Sequence, residues 1–301
     1  GSLSFSVSET TDSGIKISTG FGVADEGAAD GADASGITLT FTDGSKLDLI
    51  EAGNSYATHL ATVPGATGEQ SIGGTTSNTA PTGLTWANKS SNIGFEYHSA
   101  ADALGVDGLK FGLSASVGDD GDTASTSTVE TAYSVGVSYV TTTGDTTVTV
   151  GGGFLNADDS NASTSNSAAE TWAFAGTAAT GNLTVGMGIS GGDGIAQFST
   201  NTTVAELDGA EVMTAGVKYV SGDITFAVGY ADGEVKDAID IGTNGTTTDS
   251  YNATSASISY VIASGVSGII GFTDVEREQE GNTQMTAHSG NAWYIGALVS
   301  F

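Results

Sequence analysis

The stretch LKFGLSASV, residues 109–117, places Leu109, Phe111, Leu113, Ala115 and Val117 at alternate positions, with Lys110, Gly112, Ser114 and Ser116 between them. A repeat of two is that of a β-strand with two unlike faces. IKISTGFGVA does the same, with Ile15, Ile17, Thr19, Phe21 and Val23 on one face and Lys16, Ser18, Gly20 and Gly22 on the other. The rhythm returns from Ile37, Asn92, Tyr133, Trp172, Leu183, Met213, Ile224 and Ala256, and closes the chain in NAWYIGALVSF. Helix signals are scarce, so the alternation predicts an all-β antiparallel chain of about fifteen strands.

Alternation leaves open which medium meets the apolar face. In a soluble sandwich that face turns into a core. In a transmembrane barrel it meets lipid, and the polar face lines a wet lumen. The connections favour the barrel. Short ones at 11–14, 42–45, 141–145, 180–182, 221–223 and 263–265 alternate with long polar ones near 25–35, 118–129, 156–169, 192–210, 233–250 and 276–290. Tight turns at one end and long loops at the other are the pattern of transmembrane β-barrels. The Gly, Ser, Thr and Ala of the polar face suit a lumen better than a solvated sheet, where Lys and Glu are expected. No run approaches the length of apolar residues that a membrane-spanning helix needs.

Bacterial barrels of this type have an even number of strands. With the tight turns taken as periplasmic, both the strand at 3–9 and the last strand run from outside to inside. The parity predicts one further strand before Gly1 and sixteen in the intact barrel. Trp172, Trp293, Tyr133, Tyr139, Tyr219 and Tyr230 fall towards strand ends, as interfacial girdles require.

SFSVSETTDSGIKISTGFGVADE, from Ser4, resembles the second and third strands of the general porins of α-proteobacteria, such as those of Rhodobacter. VKYVSGDITFAVGYADGE, from Val217, resembles a later hairpin of the same family. Phe301, on an alternating strand, resembles the signal read by the barrel-assembly machinery. The resemblance spans nearly the whole chain as rhythm and short stretches as sequence. It implies a sixteen-stranded homotrimeric diffusion pore, integral to the bacterial outer membrane and in contact with its lipid and lipopolysaccharide. Residues 1–301 would then form one barrel domain, and the third long loop would fold into the lumen and narrow it. The matching loop is 51–89, the longest gap between strand patterns, which makes a plain surface connection a poor reading of it. It holds both prolines, Pro64 and Pro81, and NSYATHLA within it could form a short helix capped by Asn54 or Ser55. The loop offers Glu51, Asn54, Tyr56, His59 and Glu69 to the pore. The family sets acidic loop groups against a basic wall cluster. Here the sequence departs, because its only arginine, Arg277, falls in a long connection.

Charge narrows the function classes. The chain has 35 Asp and Glu against 7 Lys and Arg, a net charge of -28. So few cations cannot neutralise a run of phosphates, which excludes nucleic acid as a partner. The balance favours cations, bound or passing. On the polar face, Lys16, Lys46, Lys110 and Lys218 cluster towards the tight-turn end. Two readings stand: a ring that acts on passing ions, or rim lysines paired with turn aspartates. Glu96 and His98 alternate into the lumen, either lining the pore or pinning the loop. Asp119, Asp120 and Asp122, with Asp158 and Asp159, are hard oxygen donors that could hold Ca2+ or Mg2+, or simply form a solvated, repulsive face. No cofactor is required. A catalytic role is disfavoured: His59, His98 and His288 have no marked serine beside them, and His288 falls in a loop. The expected function is passive diffusion of ions and small hydrophilic solutes, with cations preferred. The rival class is a secreted or cell-surface acidic calcium-binding β-protein of adhesin or surface-layer type. In that case Phe111, Phe226 and Trp293 would meet in a dry core.

Overall fold

The computed structural model describes residues 2–24, 34–49, 58–70, 93–117, 129–159, 169–192, 210–238, 247–278 and 288–299. Fifteen strands form one sheet in unbroken chain order. They are β1 (Ser2–Thr10), β2 (Lys16–Ala24), β3 (Ala34–Thr40), β4 (Lys46–Leu49), β5 (Ile93–His98), β6 (Leu109–Val117), β7 (Val129–Thr143) and β8 (Thr146–Asp159). Then follow β9 (Ala169–Thr180), β10 (Leu183–Gly192), β11 (Ala210–Ser221), β12 (Ile224–Ala238), β13 (Thr247–Ala263), β14 (Val266–Glu278) and β15 (His288–Val299). The registers are antiparallel. Strand contacts gather into two units, one holding β1–β6 and β7 as far as Tyr139, the other holding β9–β15 and the segment from Leu60.

The alternation of the sequence becomes an alternation of exposure, with the usual sense reversed. Large apolar side chains are open: Ile295 is 86% exposed, Trp293 75%, Met187 62% and Phe174 58%. Small and polar residues between them are covered, among them Ser190, Thr214, Ala231, Ser255 and Thr273. A soluble sandwich would have buried Phe226 and Trp293; Phe226 is 42% exposed, and Trp293, 75% exposed, has its ring 4.9 Å from that of its cross-strand neighbour Phe272. Such a sheet gains nothing from water on its apolar side. On that same side, Tyr139, Tyr219 and Tyr260 are exposed near the tight turns.

Strands run further than periodicity suggested. β12 and β13 reach Ala238 and start at Thr247, and β14 and β15 are paired from Arg277 and His288 onward. Arg277 and His288 therefore lie opposite each other on strands, not in a connection, and Arg277 is 5% exposed. The reason is physical. Beyond the apolar rows the face that carried them turns polar, as in Glu234↔Ser250 and Asn252↔Glu276, so the alternation stops while the backbone ladder continues.

The tight turns use glycine where the chain must turn left-handed: Gly14 has φ 84° and Gly44 has φ 89°. A longer connection, absent from the sequence reading, joins β5 to β6 through a single 3-10 turn at Ala103–Gly105, held by Gly108 N donating to Asp102 Oδ1 at 2.8 Å. In the turn between β3 and β4, Asp43 Oδ1 accepts from Ser45 Oγ at 2.7 Å and from Ser45 N at 2.9 Å. The Ser45 hydroxyl, and then its amide, hold the Asp43 carboxyl below its ordinary range. A depressed carboxyl stabilises the fold above the unfolded value, about 3.9, and that contribution is lost as pH falls through the folded value. An NMR titration is expected to find Asp43 below about 3.9 and to find it raised by Ser45→Ala. A carboxyl that ignores the Ser45 substitution would remove this account of the turn.

Candidate functional site

Strand register, which no local pattern reveals, assembles the polar groups of the first unit. Ser18, Thr38, Asp48, Glu96, Ser114 and Ser134 are successive partners across β2–β7, so they lie in one row on the small-residue face. The next row towards the tight turns is Lys16, Thr40, Lys46 and His98, followed by Gly112 and Gly136. Residues two apart on a strand share a face, so Lys46 and Asp48 project together, as do Glu96 and His98. The pairings Lys46↔His98 and Asp48↔Glu96 bring the four into one patch.

Within it, His98 Nε2 is 3.1 Å from Glu96 Oε1. The Thr38 hydroxyl donates to Asp48 Oδ1, and the Ser114 and Ser134 hydroxyls meet at 2.6 Å. His59, from the long connection between β4 and β5, sets its ring 5.8 Å from that of His98 and its Nδ1 3.1 Å from Ser138 Oγ. Burial, then the neighbouring His98 and Lys110, holds the His59 imidazole below its ordinary range, so it is neutral at pH 7.

In the second unit the same connection continues as a strip laid on the small-residue face. Ala61 and Val63 pack on Ala175 in a small buried cluster. Thr67 N donates to Ser257 Oγ at 2.8 Å, and Tyr294 Oη donates to Thr67 O at 3.0 Å. Gly186 and Gly216 are partners on β10 and β11, and both lie under Pro64. A Cβ on Gly216 would stand 1.7 Å from the Pro64 carbonyl oxygen, so only glycine admits the strip this closely.

Of the expected residues, Lys16, Lys46, Glu96, His98 and Lys110 fall on the small-residue face, and His59 joins them. Lys218 has the same parity on β11, between Thr184 and Ala227. Glu69 belongs to the strip, half-buried. Lys16 and Lys46 open β2 and β4, and Lys218 lies three residues before the end of β11, all beside tight turns. Glu51, Asn54, Tyr56, Asp119, Asp120 and Asp122 lie outside the described residues, as does Phe301; Asp158 and Asp159 end β8, and their side chains also lie outside them. Sequence reasoning passed over Asp48, Thr38 and Ser138. All three carried a signal: each has the parity of the small-residue face on its own strand.

No protein-family model and no curated sequence matches the chain. Solved structures do. A porin refined at 1.8 Å superposes with a TM-score of 0.62 at 19% identity, over 98% of this chain and 92% of that one. The anion-selective porin of Comamonas acidovorans gives 0.61 at 12% identity, over 99% and 87%. A mutant of the Rhodobacter blastica porin gives 0.58 at 13% identity, over 100% and 89%. At these identities the likeness is one of fold. The fold of this chain is thus the general-porin fold.

Proposed function

We propose that this chain is a bacterial outer-membrane porin, a passive diffusion channel for ions and small hydrophilic solutes that works as a homotrimer among lipid and lipopolysaccharide. The observation that carries it is the reversal of faces: bulky apolar residues are open while Ser, Thr, Gly and Ala are covered. Hydrocarbon is the medium that accepts the first face, and a water-filled lumen accepts the second. The strip from His59 to Gln70 serves as the constriction, and solutes pass without a chemical step. Fractionation with outer membranes and step conductance in a planar bilayer test this; a detergent-free soluble protein that never conducts would refute it.

Cation preference is part of the proposal. A net charge of -28 raises the local concentration of cations at the mouths. Lys16, Lys46 and Lys110, in the unit that also holds Asp48 and Glu96, oppose it locally, as does Lys218 on β11. The expected result is a reversal potential of cation sign in a salt gradient, shrinking as ionic strength rises, because the Debye length falls from about 10 Å at 0.1 M to about 3 Å at 1 M. A reversal potential of the opposite sign would leave the wall lysines in control.

A further inference from the structure

Asp48, Glu96 and His98 each present a ligand atom within 4.8 Å of the others. The Glu96–His98 contact is in itself an ion pair, and two observations bear on what the larger set can hold. First, Glu96 is only 8% exposed, and its Oε1 lies 3.1 Å from His98 Nε2. Two ligands on one tetrahedral ion with bonds of 2.0–2.1 Å stand about 3.3 Å apart, so the two atoms already keep the spacing of a shared metal. Second, His59 is 7% exposed, with its ring against that of His98, and its Nε2 is buried without a hydrogen bond. Buried ring nitrogens are rarely left without a partner. With Nδ1–H donating to Ser138, Nε2 carries the lone pair that a metal takes.

We propose that Asp48, Glu96 and His98 bind one divalent transition-metal ion of the zinc class, with His59, whose nitrogens stand outside that set, swinging in to close the shell. Imidazole nitrogens with carboxylates suit zinc, whereas calcium and magnesium want six or more oxygens. The outer partners are in place, since Thr38 donates to Asp48 and Ser138 accepts from His59. Lys46 neighbours His98 and Lys110 acts on His59, so the carboxylates are balanced by ammonium groups and selectivity rests on ligand type, not net charge. An open cavity of about 350 Å³ lined in part by Ser6, Ser18, Thr38 and Asp48 gives an ion a route to the carboxylate.

The test is calorimetric titration of the full, untagged chain in detergent with zinc chloride, paired with visible absorption after cobalt(II) loading. One zinc ion per chain is expected, undisplaced by excess calcium chloride, with the intense cobalt bands of a four-coordinate site. His98→Ala and the gentler His98→Gln are expected to weaken binding more than a hundredfold, and Thr38→Val by about tenfold, the lower range for an outer partner. His59→Ala is expected to weaken binding and shift the cobalt spectrum while circular dichroism stays β. Absence of zinc binding, or binding equal in the His98 variants, overturns the site. Unchanged affinity and spectrum in His59→Ala overturn its closure by the connection. None of these readouts requires conduction, so their failure is distinct from failure of the channel reading.

Discussion

Replacing Ile270 with arginine is expected to destabilise the chain in phospholipid by about 2–4 kcal/mol, the range for a cation on the lipid face of a barrel near the bilayer midplane. On exposure alone the change looks harmless, since Ile270 is 49% exposed. Substitutions at exposed positions in water usually move stability by less than about 0.5 kcal/mol. Ile270 is the fourth of five row partners, Tyr219, Phe226, Ile258, Ile270 and Ile295, all of them open. Among the described residues nothing buries that row, so its solvent sets the cost. Asp274, four residues on with the same parity, shares a row with Tyr230, Thr254 and Asn291, where the apolar band has ended. Asp274→Arg is therefore expected to cost no more than about 1 kcal/mol, as near an interface. Reversible unfolding in vesicles measures both. Equal and small effects at the two positions would mean that water wets the apolar face, and the membrane reading would fall.

The face of each residue was legible because period two is local. Lys16, Lys46, Glu96, His98, Lys110 and Lys218 fell where alternation placed them. The patch of Lys46, Asp48, Glu96 and His98 was not legible, because it depends on pairings such as Lys46↔His98, between residues 52 positions apart. Asp48 shows the gap: its parity was readable, and its meeting with Glu96 was not. Arg277 and His288 were misread as loop residues because hydrophobic rhythm reports the medium each face meets, and near the strand ends the open face is no longer apolar. The connection through Ala103 was missed because it offers neither alternation nor a two-residue turn. The docked strip had a faint signal, the glycine row Gly186↔Gly216↔Gly229, which has no side-chain role of its own and makes sense only with another chain segment above it.

That row supports the second large effect. Gly216→Val is expected to push the strip off β10 and β11 and raise single-channel conductance, a consequence that rests on the porin reading. The new Cβ would meet the Pro64 carbonyl oxygen at 1.7 Å and its carbon at 2.7 Å, against ordinary contacts of 3.4–4 Å. Both atoms are backbone, so no rotamer change relieves the overlap and Pro64 must move. Its tethers include hydrogen bonds and buried side chains. The two hydrogen bonds of Thr67 are each worth about 0.5–1.5 kcal/mol, and burial of Val63 adds about 1.5–3 kcal/mol. Overpacking costs about 1–3 kcal/mol even where a core adapts, and an overlap with rigid backbone belongs at or above that limit. The two sides are comparable, so displacement competes with strain, while the β10–β11–β12 ladder has no need to break. Gly296→Val is the control, since a Cβ there meets nothing within 4 Å. Proteolysis within 61–70 should rise in Gly216→Val alone, together with conductance. If conductance and cleavage both match the unsubstituted chain, the strip does not constrict the pore, and the face beneath Pro64 has a purpose other than narrowing it.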